Sequence, residues 1–179
     1  MFLKIYALPI GTMILLAAIG TAFWILTGLL EEDRVTKVLK TLILVFVAFF
    51  ILQSTLLGRS HSSEQRASLQ PFASFEAAKI QPEFYRSVFL NFLMFLAFGL
   101  SLAWVLPGRW KTMWRVLAVI LTGLFFSLTI EILQYVFSLG IAETDDVIFN
   151  TLGCICAAGA MLLRDRLIRK RKNEHHDGA

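Results

Sequence analysis

Apolar residues in this chain gather in runs of seventeen or more with almost no charge inside them, separated by polar and basic stretches. A helix that crosses lipid needs about 20 predominantly apolar residues. Five stretches qualify: Ile5–Leu30, Thr41–Leu57, Val88–Leu106, Met113–Phe137 and Val147–Leu163. The first is too long for the apolar core of a signal peptide and has no convincing cleavage site, so it reads as a span that Pro9 can kink. The last is the shortest and is rich in Gly, Ala and Cys rather than Leu, which suits a helix inside a bundle. The pattern predicts an all-α, polytopic transmembrane bundle of about five helices.

Composition sharpens this by exclusion. Of 179 residues, 57% are apolar and 17% charged, and mean hydropathy is +0.69. A soluble domain is nearer about half apolar and about a quarter charged. A soluble enzyme, a disordered chain and a secreted disulfide scaffold are thereby excluded. Cys154 and Cys156 are two residues apart, so a helix points them to different faces and they neither bridge nor hold a metal together. Both are expected to be small buried residues.

Basic residues set the orientation. With five spans, one side receives Arg34, Lys37, Lys40, Arg109, Lys111, Arg115 and six residues of the tail, twelve in all; the other receives Lys4, Arg59, Arg66, Lys79 and Arg86. The positive-inside bias then places the N-terminus outside and the C-terminus in the cytoplasm. The net charge of +4 anchors the chain against anionic lipid and implies no nucleic-acid partner. His61 is expected in a solvated loop, and His175 and His176 in a disordered tail. Two features fall outside: the thirty-residue loop Gly58–Ser87 and the short acidic connection Gly140–Asp146.

Polar residues within the apolar runs carry the functional reading. A carboxylate near the centre of a spanning helix costs about 2.5–3.5 kcal/mol, less toward an end. Glu131 must therefore have a partner, a water-filled cavity or a proton. Ser127 and Gln134 share its helical face, and Gly123 extends the stripe. In the last span Asp146, Asn150, Gly153 and Ala157 share one face, with Gly153 and Ala157 forming a small-residue pair that permits close backbone approach. Asn91 begins the third span at the outer side, Arg59 and Arg86 lie near outer helix ends as cationic partners for Glu131, and the loop adds Gln70. Antiparallel neighbours bring these groups into one slab near the outer surface.

The candidate ligand-binding residues are thus Glu131, Gln134, Ser127, Asn91, Asp146, Asn150, Arg59 and Gln70. Structural readings stand beside the functional one. Asp145 and Asp146 can cap the helix they begin, Ser127, Gln134 and Asn150 can be interhelical hydrogen bonds, and Arg86 can be a snorkelling anchor.

Four blocks occur in order: Ser68-Leu69-Gln70-Pro71-Phe72, Asn91 through Gly99, Ser127 through Gln134, and Asp146 through Gly153. Together they resemble the VanZ-like family over about Arg59 to Leu163. Residues 1–57 then hold two helices outside the recognised motifs, 58–163 the VanZ-like domain, and 164–179 a basic tail. Two departures stand out. Ala97 occupies a place where the family often has Pro, and Ile141 follows Gly140 where a basic residue is common. The resemblance implies a multi-pass protein of the bacterial plasma membrane, and the founding member is linked to low-level resistance to teicoplanin, a lipid-tailed glycopeptide. It supplies a phenotype and not a reaction.

Two functions follow. In the first, the slab binds or shields an amphiphile at the outer leaflet, a lipidated glycopeptide or a lipid-linked wall precursor. In the second, an intramembrane enzyme modifies a lipid or lipid-linked head group through Glu131 as general base, or through Glu131, Asp145 and Asp146 holding Mg²⁺ or Ca²⁺. No Ser–His or Cys–His pair and no His with metal spacing accompanies these carboxylates, and no cofactor is expected.

Overall fold

A computed structural model of the chain describes residues 20, 21, 24, 34–57, 66–74, 79 and 83–177. Four helices organise it: α1 (Arg34–Leu52, continued by a π-helical turn Gln53–Leu57), α2 (Glu83–Val105), α3 (Thr112–Val136) and α4 (Thr144–Asp177). All four are long and apolar enough to cross a membrane. The predicted span Ile5–Leu30 lies largely outside the described residues, of which Gly20, Thr21 and Trp24 are helical. Pro107 and Gly108 separate α2 from α3, where the proline ring and the missing N–H end a helix.

The described residues are mostly helical, as expected, with one addition and one correction. The addition is a short strand pair: β1 (Arg66–Ser68) pairs in parallel with β2 (Ile141–Glu143), Arg66 facing Ile141 and Ser68 facing Glu143. Three-residue strands are too short to leave a period-2 signature in sequence. The correction concerns the tail, which is helical to Asp177. No Gly or Pro interrupts residues 160–177, and Arg, Lys and Leu favour helix. The 34 residues of α4 measure about 51 Å, roughly 20 Å more than a bilayer's hydrocarbon core.

α3 shows how the bundle is solvated. Arg115, Val119, Gly123, Ser127, Ile130, Glu131 and Gln134 are buried, whereas Leu117, Leu121, Phe125, Leu128 and Ile132 are exposed. The stripe facing outward is apolar and the stripe facing inward is partly polar, the reverse of a water-soluble helix. α1 is likewise coated with exposed Val35, Val38, Leu42, Val45, Phe46 and Phe49. A contiguous apolar surface of this kind calls for lipid. Exposed Thr129 donates to the Phe125 carbonyl of its own helix at 2.8 Å, which satisfies a hydroxyl on a lipid-facing stripe.

Small residues bring the helices together. A Cβ on Gly153 of α4 would lie 2.5 Å from the Phe92 carbonyl oxygen and 2.8 Å from the Leu96 nitrogen, both backbone atoms of α2. Gly99 of α2 meets the Ala157 Cβ in the same way, at 2.6 Å. The small-residue pair read from sequence is therefore the α2–α4 contact. The cysteines do point to different faces, but only Cys154 is buried; Cys156 is exposed. Cys154 Sγ fills the notch at Gly123 and donates to the Phe95 carbonyl at 3.4 Å.

The alternating helices give the bundle two chemically distinct ends. One gathers Arg34, Lys37 and Lys40 of α1, the α2–α3 connection, and Arg164 through Arg169 of α4. All four tryptophans of the chain lie there as well. Trp24 meets Trp104 in a tilted arrangement, 6.4 Å between ring centroids and 59° between planes, and receives the Arg164 guanidinium at 4.9 Å. Tryptophan concentrated at one level of a bundle is the usual mark of a membrane–water boundary. The opposite end holds the polar slab.

Candidate functional site

The slab begins with the end of α3. Phe137 N–H donates to the Leu133 carbonyl, Ser138 N–H to Tyr135 and Leu139 N–H to Gln134, a Schellman arrangement with Ser138 in the left-handed region at φ 53°. Gly140, at φ 115°, completes the reversal into β2. That tight return sets Glu143 over the helix that has just ended, and its N–H donates to Glu131 Oε2 at 2.8 Å. A buried carboxylate gains more from such a bond than a neutral acceptor does.

Deeper in the slab, Asn150 of α4 donates through Nδ2 to Ser127 Oγ of α3 at 2.9 Å. Gln134 donates through Nε2 to the Thr55 carbonyl at 3.1 Å. Thr55 belongs to the π-helical turn ending α1, where carbonyls lack partners within the helix. Each amide thus spends its donor on a neighbouring element. Its acceptor is left over: Gln134 Oε1 and Asn150 Oδ1 are buried and have no hydrogen-bond donor among the described residues. An unsatisfied buried polar atom costs about 1–3 kcal/mol.

The loop before α2 is tied to this slab through Asp145, which is 1% exposed. Its Oδ1 accepts from Phe72 N–H and its Oδ2 from Ser74 N–H at 2.8 Å. Ser74 Oγ adds a bond to Glu143 Oε2 at 2.9 Å. Phe72 sits at φ 64°, a conformation that costs an L-residue with a bulky side chain about 1–2 kcal/mol. Phe72 and Leu69 are nevertheless exposed, at 55% and 80%. The clamp therefore holds a strained backbone that presents two apolar side chains beside a polar interior.

A sequence model of the VanZ/LLP1 family matches residues 37–165 of the chain. The chain belongs to the VanZ/LLP1 family. No curated protein and no solved structure matches it. The VanZ/LLP1 match begins within α1, earlier than Arg59, so it takes in the helix that supplies Thr55 to the slab. Three of the four sequence blocks by which the chain resembles VanZ-like proteins touch one another, and the loop block is held by Asp145, the residue just before the fourth. The loop block is clamped at Phe72, Ser127 bonds Asn150, and Gly153 lies against Phe92.

Six of the candidate residues are buried in the helix bundle, and two of them, Ser127 and Asn150, bond directly. Glu131, Gln134, Ser127, Asn150, Asp146 and Asn91 are all buried, and Asn91 adjoins Phe92, whose carbonyl meets Gly153. Gln70 is exposed in the clamped loop, its carbonyl accepting Ala73 N–H at 3.4 Å. Arg86 is half-buried near the start of α2. Arg59 and His61 lie outside the described residues. Asp145 turns its carboxylate to the loop amides. Both of its oxygens are engaged there, and among the described residues no three His, Cys, Asp or Glu side chains gather as a cation cage. Sequence reasoning misses Thr55, Ser74 and Glu143, and only the loop block beside the Asp-Asp pair signals that they belong together.

Proposed function

We propose that this VanZ-type membrane protein binds an amphiphile at the slab end. The slab faces the outer leaflet of the bacterial plasma membrane, with the chain's N-terminus outside and its C-terminus in the cytoplasm. Binding there lowers susceptibility to a lipidated glycopeptide of the teicoplanin type. The observation that carries this reading is the clamped loop. Phe72 is held in a left-handed conformation and exposed by a buried carboxylate. Local strain of this kind persists where the surroundings over-determine it, and it clusters at ligand clamps. Leu69 and Phe72 offer an apolar rim to an acyl chain. Gln134 Oε1 and Asn150 Oδ1, which meet no donor among the described residues, offer acceptors to the hydroxyl and amide donors of a head group.

The test compares wild type and Glu131→Gln at matched membrane levels, against teicoplanin and against vancomycin, which lacks the lipid tail. Glutamine has nearly the same volume and keeps an oxygen for Glu143 N–H, and matching the membrane levels separates loss of protection from loss of folded protein. Wild type is expected to raise the inhibitory concentration of teicoplanin selectively, and the variant to lose that protection. Equal protection by both would remove the slab from the mechanism. Protection by neither would remove the antibiotic.

A further inference from the structure

The exposed surface of α3 carries its own measure of membrane thickness. Trp114 and Tyr135 are both exposed on it and lie 21 residues apart, about 31 Å along a helix. A hydrocarbon core is about 30 Å thick, and indoles and phenols collect at its two boundaries. Between the two aromatics Leu117, Leu121, Phe125, Leu128 and Ile132 are exposed. Ile132 therefore stands inside the hydrocarbon, about 4.5 Å short of the Tyr135 boundary.

Hydrogen bonds then fix the depth of the clamped loop. Ser127 and Asn150 are bonded and so lie on one level. Asp145 is five residues from Asn150 toward the slab end, and Ile132 is five from Ser127 in the same direction. The Asp145 carboxylate, which accepts from Phe72 and Ser74 N–H, is thus level with Ile132. Glu143 gives a similar depth independently. Its N–H donates to Glu131, and its strand partner is Ser68, next to Leu69. The backbone at Leu69 and Phe72 therefore lies on the hydrocarbon side of the Tyr135 boundary, and both side chains are exposed. Lipid offers the backbone no hydrogen bonds, so irregular chain at this depth must be satisfied by protein. From residue 71 to 74 every backbone N–H is accounted for. Pro71 has none, Phe72 and Ser74 donate to Asp145, and Ala73 donates to the Gln70 carbonyl. A loop standing in water would have solvent for the same groups. We propose that the turn 69–74 is a re-entrant segment whose Leu69 and Phe72 side chains are seated in the lipid of the leaflet at the slab end.

The placement stands whatever the slab binds. It is tested on the full chain in phosphatidylcholine vesicles, with nitroxide labels on single introduced cysteines. The background is Cys156→Ala, since Cys154 is buried and Cys156 exposed. Collision with oxygen, which dissolves in lipid, is compared with collision with a water-soluble nickel chelate. Ile132→Cys and Arg171→Cys, both at exposed positions, supply the lipid and water references. The oxygen-to-nickel ratio at Leu69→Cys and Phe72→Cys is expected to match that at Ile132 within about threefold and to exceed that at Arg171 about tenfold or more. Leu69 is so exposed that its replacement disturbs no packing, and its label reads the turn even where Phe72→Cys loosens it. A ratio at Leu69 equal to that at Arg171 would place the turn in water and overturn the proposal. Protection of Leu69 from both reagents would mean that protein covers the turn, and overturns it equally.

Discussion

Replacing Gly153 with leucine is expected to abolish folded protein in the membrane. A Cβ at that position would stand 2.5 Å from one α2 backbone atom and 2.8 Å from another. Backbone cannot swing aside as a side-chain tip can, so α2 and α4 must separate along their whole contact. Overpacking an ordinary core site costs about 1–3 kcal/mol. Parting two helices held by close van der Waals contact exceeds that range, because lipid gives helix association little hydrophobic drive. Gly159 provides the internal control. It lies on the same helix, and a Cβ there would meet nothing within 4 Å among the described residues, so Gly159→Leu is expected to leave the protein intact. Size-exclusion profiles of detergent extracts decide between them. A normal peak for Gly153→Leu would mean that the close α2–α4 contact is absent.

The second large effect is expected at Asp145. Substitution by alanine removes two hydrogen bonds from backbone N–H groups to a buried carboxylate, each worth about 1.5–3 kcal/mol. It also frees Phe72 to leave the left-handed region. The loop should open locally while the helices stay closed. Amide exchange in residues 66–74 is expected to rise about a hundredfold or more, with α2, α3 and α4 unchanged. Phe72→Gly on the wild-type background is expected to act in the opposite direction, since glycine adopts φ 64° without strain. If Asp145→Ala instead raised exchange throughout α4, the carboxylate would be part of the helix framework and not a clamp for the loop.

The parts of this structure legible in sequence are those set by local repetition. Apolar runs of about 20 residues mark spans whatever their neighbours do, and the spacing of Ser127, Glu131 and Gln134 places them on one face before any tertiary contact forms. What escapes is pairing across long separations. Asp145 and Phe72 are 73 residues apart. A carboxylate at the start of a helix satisfies N–H groups equally well whether they belong to that helix or to a loop. The β1–β2 pair is hidden for a related reason, three residues being too few to show alternation. Cys156 defeats the expectation of burial because a small residue in a spanning helix can face either protein or lipid. Basic residues near helix ends read as markers of orientation, which conceals that Arg115 of α3 pairs with Asp165 of α4, fifty residues away.

α4 runs unbroken from the clamp at Asp145 to Arg169 at the tryptophan-bearing end of the bundle. Between these points it also presents Gly153 and Ala157 to α2. One continuous rod therefore fixes three docking events in rotational phase. A single inserted residue turns everything beyond it by about 100°, and no loop lies within the rod to absorb the error. Between Asn150 and Arg164 the chain can gain or lose length only by whole turns, so the number of residues there is under as much constraint as their identity.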